Sequence, residues 1–521
     1  MTALADLAGP AQHGAVAAML LPWLPRQRWF AGKARSVATV SVHDEILLHG
    51  DDTVVLDALV DVEFDDGHRE RYQVPLAAAA ACSAQASPVG AVAGLDLVDA
   101  TTDPDAARLL ASLACDQTAR LTGLGGRVSG RPGAGDEALD LPQPEVLRGE
   151  QSNTSVVFGQ HAIVKLFRRL EPGQNPEVEI TRALTWQGFP NAPRQLGALL
   201  LDDADGTSTD LAVLAEFVAG GRDAWRLATD DVARLVESPV ACAMADSWLL
   251  ERLGALGAAV ADMHAALRDT LGSRPASPGD AARWVADMRQ QVERVLATAS
   301  ARAAGTAAAV LQRRDELLER LTRLAHGGGD GMLTRTHGDL HLGQVLLDRH
   351  DRWQLLDFEG EPARSLAERR ALHPPLRDVA GMLRSFDYAA AAGSGGDLSA
   401  VGEAAAAWRD DARRRFLDAY LITAADHGLL PSDPDLVTTQ LDAFELDKAV
   451  YELGYELGNR PAWAAIPVGG ILRVLDRRHL GGPISSGRRH LGGPISSDRR
   501  HLGGPISSDR RHFGGPISPS G

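Results

Sequence analysis

His337-Gly338-Asp339-Leu340-His341-Leu342-Gly343-Gln344-Val345-Leu346-Leu347, followed ten residues later by Asp357-Phe358-Glu359, is the stretch from which the rest of the chain is read. Short turns at Gly338 and Gly343 interrupt a region of helical periodicity, and the apolar run 353–358 has an acid set within a strand-like pattern. Moving a phosphoryl group onto a hydroxyl needs an oriented carboxylate at the attacking oxygen and further oxygen ligands for magnesium on the phosphates. Asp339 fits the first role, taking the hydroxyl proton from a tight loop, while Gln344 supplies an amide oxygen and Asp357 a charged ligand. One acidic turn alone is often a helix cap, but the pair at this spacing points to chemistry.

Such chemistry also needs a cation on the phosphates, steadied by an acid on a helix. Lys165, in Ala162-Ile163-Val164-Lys165-Leu166-Phe167, fits as a strand lysine; Glu179, in the helical pattern 177–186, is its expected partner, with Glu177 as the alternative. No G-x-G-x-x-G precedes this strand, and Gly32-Lys33 lacks the upstream glycine and the Ser or Thr of a P-loop. Instead, Gly149-Glu150-Gln151-Ser152-Asn153-Thr154-Ser155 enters a hairpin of 155–158 and 162–167. Gln151, Ser152, Asn153, Thr154 and Ser155 are expected to cover phosphates, an ordinary polar turn being the other reading. The strand 211–218 ends where adenine would meet backbone, around Glu216 and Val218.

The paired motif resembles that of aminoglycoside phosphotransferases and related choline and sugar kinases, in which Asn, not Gln344, is the usual amide ligand. The resemblance narrows at Trp-Leu-Pro-Arg-Gln-Arg-Trp-Phe-Ala-Gly-Lys-Ala-Arg (23–35), the elements of 149–181, Glu368-Arg369-Arg370 with Pro375-Leu376-Arg377-Asp378, and Asp-Lys-Ala-Val-Tyr-Glu-Leu-Gly-Tyr-Glu-Leu-Gly-Asn-Arg-Pro (447–461). Together these look like the maltokinase family over residues 15–475, with Ala462-Trp463-Ala464-Ala465-Ile466-Pro467 and the last 45 residues departing from it. The resemblance implies an α+β, protein-kinase-like bilobal fold of the aminoglycoside phosphotransferase type, with an N-terminal α+β cap subdomain and a helical C-terminal lobe. It implies ATP and Mg2+ as cofactors, maltose or a related sugar as substrate, maltose 1-phosphate as product, and association with enzymes of α-glucan (glycogen) synthesis.

The acceptor is expected to meet Asp339, His341 and Glu359, and the helical face of 444–458 that carries Lys448, Tyr451, Glu452 and Tyr455. A sugar needs planar hydrogen-bonding groups and an aromatic surface, and that face supplies both; the other reading is tyrosines packed in a core. Arg377-Asp378 is expected to brace the catalytic loop by an ion pair, His264 to be a packed surface histidine, and Trp29-Phe30 to sit in the cap core. Rival readings are a kinase for glucosamine or an aminoglycoside, and a pseudokinase scaffold.

The expected organisation is 1–110 cap, 111–219 β-rich nucleotide lobe, 220–476 helical lobe and a 477–521 tail, with the Gly- and Pro-rich 123–144 as a flexible loop or lobe boundary. The tail repeats Arg477-Arg478-His479-Leu480-Gly481-Gly482-Pro483-Ile484-Ser485-Ser486-Gly487 with near copies and reads as disordered low complexity. A balance of 53 Lys plus Arg against 69 Asp plus Glu gives a net charge of -16, which disfavours nucleic acid and anionic membrane as partners. Cys82, Cys115 and Cys242 lack metal or disulfide spacing, and no signal-like or membrane-length apolar run occurs, so a cytoplasmic enzyme is expected.

Overall fold

The computed structural model describes residues 2–50, 53–79, 87–133, 139–147, 152–237, 247–302, 304–327, 330–362, 364–395 and 402–477. The chain divides into Met1–His479 and Leu480–Gly521. The repeat reading, from Arg478 onward, and the assignments to Gln151, Cys82 and Cys242 lie outside the described residues.

Helices α1 (Thr2–Ala5) and α2 (Pro10–Leu20) pack on an antiparallel sheet of β1 (Val37–His49), β2 (Val54–Phe64), β3 (Arg69–Ala78), β4 (Pro88–Val92) and β5 (Leu95–Asp99), ordered β1-β2-β3-β5-β4. The β2-β3 hairpin turns at Asp66-Gly67, where Gly67 has φ 78 and its N–H reaches the Phe64 carbonyl at 2.9 Å. Strand alternation lets β2 serve two cores. Val54, Leu56, Val60 and Val62 join Trp23, Trp29 and Phe30, while Val55 and Leu59 join α3 (Pro104–Leu113) and a second sheet.

That second sheet contains β6 (Arg120–Leu121), β7 (Arg127–Pro132), β8 (Pro144–Val146), β9 (Thr154–Phe158) and β10 (Ala162–Leu166). The chain then makes β11 (Arg169–Leu170), which pairs with β3 of the first sheet, and α4 (Pro176–Trp186), capped by Asn175. With β12 (Gln195–Asp202) and β13 (Ser208–Glu216) the order is β6-β7-β12-β13-β10-β9-β8. The loop expected at 123–144 is corrected in part, since 127–132 is the strand β7 paired with β12. Its glycines serve close approach: a Cβ on Gly130 would lie 2.1 Å from the Leu113 carbonyl oxygen.

Beyond Glu216 the chain turns at Gly220 into β14 (Arg222–Asp223), and helices dominate from there. These are α5 (Ala224–Glu237), α6 (Trp248–Leu271), α7 (Pro278–Arg302), α8 (Ala304–Gln312), α9 (Arg314–Gly327), α10 (Leu366–Arg369), α11 (Leu376–Gly393), α12 (Glu403–Asp426), α13 (Pro434–Asn459) and α14 (Ala465–Asp476). Short strands β15 (Ser273–Pro275), β16 (Met332–Thr334), β17 (Val345–Leu347) and β18 (Trp353–Leu355) interrupt them, with the sheet order β14-β17-β18. Helix α13 packs on α7, α9, α11 and α14 and so sits at the centre of one helical core. No helix among the described residues is long and apolar enough to cross a membrane.

Helices α6 and α12 cross at Gly257, where a Cβ would lie 2.1 Å from the Phe416 carbonyl oxygen, whereas at Gly254 the nearest atoms stand 3.8 Å away. Helix propensity alone favours Ala at both positions by about 1 kcal/mol. We expect Gly254→Ala to follow propensity, and Gly257→Ala to lose about 1–3 kcal/mol through overpacking, as measured by chemical denaturation.

Candidate active site

The loop 335–341 leaves β16 and is fastened from below by α11. The buried Asp378 carboxylate accepts hydrogen bonds from the N–H groups of His337 at 2.7 Å and Gly338 at 3.0 Å. It also lies 2.9 Å from His264 Nε2, whose Nδ1 meets the Tyr420 hydroxyl at 3.1 Å. Burial raises the Asp378 pKa, but the His264 hydrogen bond and the surrounding charges and donors bring it below the ordinary value. Two expectations change here. His264 is fully buried, not a surface residue, and Asp378 braces the loop through backbone donors and His264, while Arg377 points to Asp447. Gly338 has φ 85 and Gly381 has no room for a Cβ, which would stand 2.7 Å from the Leu340 carbonyl oxygen.

Asp339 is presented by this loop, with Lys448 Nζ 3.1 Å from its Oδ1. The same ammonium is 2.6 Å from Glu361, which Lys448 and Arg364 hold down at about 2 against the effect of burial. Burial alone lowers the Lys448 pKa, yet Asp339 and Glu361 keep it raised, so it stays protonated.

On the other side of Asp339, Asp357 follows β18 with φ 62, a left-handed conformation that an Asp adopts at some cost. Its Oδ1 pairs with Lys165 Nζ at 2.6 Å and its Oδ2 accepts from Gln344 Nε2 at 2.9 Å. Lys165 also pairs with Glu359 at 2.5 Å, and Asn153 donates to the same Glu359 oxygen. The expected Lys165–Glu179 pair is not formed. Glu179 instead binds Arg335, and Arg370 at 2.9 Å. Glu177, the alternative, lies buried beneath the Asp357 turn and accepts the Phe358 N–H. Burial pushes Glu177 up to about 8 although the Lys165 charge opposes the shift.

Other expected residues face elsewhere. Thr154 Oγ1 accepts from Arg168 at 2.8 Å and Ser155 is fully buried, so of the described members of this set the side chains of Ser152 and Asn153 reach the cavity beside Asp357. The Glu216 carboxylate is held by Arg194, leaving its backbone with half-buried Val218 at the chain's turn out of β13. His341 folds back to accept the Gly343 N–H at 3.0 Å, and Glu359 lies on the Lys165 side, not the acceptor side. On α13 the predicted face splits. Lys448 and Tyr451 line a cavity, whereas Glu452 turns to buried Arg384 at 2.7 Å and Tyr455 is 48% exposed.

Two cavities meet at Asp339. One, of about 220 Å³, holds Ser152, Asn153, Gln344, Asp357 and Glu359, and its wall includes Trp29 of the N-terminal layer. The other, of about 60 Å³, holds Glu361, Arg364, Arg377, Asp447, Lys448 and Tyr451. Sequence reading missed Glu361, Asp447 and Trp29 as site residues; the Glu-Gly-Glu-Pro run after Phe358 was the one available signal for Glu361. A cleft of about 610 Å³ behind Glu216-Phe217-Val218 contains none of these groups.

A model described as the phosphotransferase enzyme family matches residues 144–421, and one described as the maltokinase N-terminal cap domain matches residues 23–103. The glucosamine kinase of Streptacidiphilus jiangxiensis is 32% identical over 324 residues, covering 61% of this chain and 70% of that protein. The glucosamine kinase of Mycolicibacterium smegmatis is 28% identical over 331 residues, covering 63% of this chain and 78% of that protein. In fold, the chain resembles a glucosamine kinase solved in complex with glucosamine, ADP and inorganic phosphate. That match has a TM-score of 0.64 and 24% identity, covering 88% of this chain and 99% of the other.

The two acids of α4 are separable by mutation. Glu177→Ala frees the Phe358 N–H and loosens the Asp357 turn, so the dissociation constant of the nucleotide should rise about tenfold, a cost near 1.4 kcal/mol. Glu179→Ala leaves the buried Arg335 short of a partner; its melting temperature should fall by several degrees, as about 1–2 kcal/mol implies, with nucleotide affinity unchanged by calorimetric titration.

Proposed function

From its membership of the phosphotransferase enzyme family, to which the chain belongs, we propose that the protein is an ATP-dependent kinase of a sugar hydroxyl. The observation that carries this reading is the place of Asp339 between a cavity lined by Asp357, Gln344 and Asn153 and one lined by Lys448, Glu361 and Asp447. A carboxylate there reaches an acceptor on one side and a phosphoryl group on the other.

In the proposed step the acceptor oxygen bonds to the γ-phosphorus and its proton passes to an Asp339 oxygen. The bond from that phosphorus to the bridging oxygen breaks, and its electron pair leaves on the nucleoside diphosphate. Lys448, 3.1 Å from Asp339, holds the carboxylate in place until the proton moves. Lys165 is held near the phosphates by Asp357 and Glu359, and Asn153, on Glu359, ties the turn before β9 to them. The donor set fits magnesium, a hard ion served by one or two protein oxygens plus phosphate oxygens: Asp357 and Gln344 would hold it. When bound, the ion neutralises charge on the β- and γ-phosphates.

Glucosamine is the acceptor we put first, because the curated relatives described above are glucosamine kinases. Maltose is the second reading, supported by the maltokinase cap-domain match, and association with α-glucan enzymes belongs to that reading.

The test is sugar-dependent ADP release with magnesium ATP over glucosamine, maltose, glucose and an aminoglycoside. Turnover highest with glucosamine is expected; turnover with maltose alone would move the assignment to the second reading, and no sugar-dependent release would favour a scaffold. Asp339→Asn should lower kcat by about 10² to 10⁴ while nucleotide affinity stays near wild type.

A further inference from the structure

We propose that Arg369 is a catalytic residue that holds the phosphoryl group as it crosses between nucleotide and acceptor, an inference that rests on the kinase reading above. The cavity on the Lys165 side and the cavity on the Lys448 side share Asp339, Gly360 and Arg369. Among the described residues Arg369 is the cation at that junction: Lys448, Arg364 and Arg377 line only the acceptor cavity, and Arg169 only the other.

The side chain is built into this place. Its backbone ends α10, where Ser365 and Glu368 form a reciprocal cap, and its carbonyl accepts from Arg335 at 2.8 Å. The stem lies over Gly360, on which a Cβ would stand 3.4 Å from Arg369 Cγ; Gly360 in turn lies against Gly338 of the catalytic loop, with 3.2 Å between its Cα and a Cβ there. Nη1 donates to the Glu359 carbonyl at 3.1 Å and Nη2 pairs with Glu171 at 3.0 Å. The side chain is thus nine-tenths buried, at 8% exposure, and its Nε has no hydrogen-bond partner. A buried donor without a partner in a cavity wall is costly unless something arrives to use it.

An incoming phosphoryl group is the chemistry that fits. In flight its charge spreads over three equatorial oxygens, and a planar guanidinium at the crossing point meets two of them at once. Glu171 makes the exchange possible, because it also pairs with Arg169 at 2.6 Å and keeps a cationic partner when Arg369 turns to the phosphoryl oxygens. Arg369 neither gains nor loses a proton in the step; the new oxygen–phosphorus bond, the broken bridging bond and the proton on Asp339 are as described for the reaction.

Wild type, Arg369→Met and Arg369→Lys are compared in the full chain. Two readouts are used: kcat with the best sugar, and trapping of ADP by aluminium fluoride and magnesium, which mimics the transferring group. We expect kcat to fall about 10² to 10³ in Arg369→Met, with the ADP dissociation constant within about threefold, trapping lost, and part of the rate restored by added guanidinium. Arg369→Lys keeps the stem and charge should Arg369→Met not fold, and should still lose tenfold or more because it lacks the fork. Trapping that Arg369→Met or a folded Arg369→Lys matches to wild type, or a kcat within threefold, overturns the proposal. If wild type turns over no sugar but traps ADP while the variants do not, the acceptor reading fails and Arg369 stands. A wild type that neither turns over nor traps overturns both.

Discussion

The Asp378 carboxylate beneath the loop 335–341 is the contact on which the site depends. One buried anion takes two successive backbone N–H groups and a histidine, so the loop's path is set before any side chain above it matters. Charge-assisted bonds in a dry interior are stronger than neutral ones, and leaving any of these donors unpaired would be costly. Asp378 comes from α11, whose Gly381 presses on the Leu340 carbonyl, and its orientation is backed by His264 on α6 and Tyr420 on α12. The position of Asp339 is therefore a property of the helical core.

Around that loop the dominant problem is like charge. Asp339, Asp357, Glu359, Glu361 and Glu177 crowd one region, and they are steadied in three ways. Lys448 serves Asp339 and Glu361, Lys165 serves Asp357 and Glu359, and Glu177 is pushed up to about 8 by burial. The two lysines thus offset the charge of four of the acids. In the proposed kinase, phosphates would compete for Lys165 and a metal would take over part of the neutralisation of Asp357.

The N-terminal layer is tied into the same centre. Arg168 is fully buried, stacks 4.7 Å above Trp29, and donates to Thr154 of β9, Asp99 and Thr101. Its neighbour Arg169 begins β11, which extends the first sheet, and Trp29 walls the cavity that holds Asp357. The cap-domain match thus covers residues that shape the cavity beside Asp357.

Much of this was legible in the chain itself. The hairpin read at 155–158 and 162–167 is β9 with β10, and the spacing of Asp339, Gln344 and Asp357 brought the three together because β17 and β18 between them form a local hairpin. Glycine content misled at 123–144, where Gly130 is small for the sake of a neighbouring carbonyl, not for a loop. Charge partners misled most. Glu177 and Glu179 lie two residues apart on α4, about 200° around the helix, so one meets the Asp357 turn while the other meets Arg335. Likewise Lys448 faces Asp339 while Glu452, one turn on, faces Arg384. The sequence by itself determined the elements, their order and the local acid pair, since these rest on interactions between residues close in the chain. Which acid meets which cation, and that Arg369 stands at the junction of two cavities, only the tertiary structure decided, because both depend on how distant helices and strands rotate when they pack.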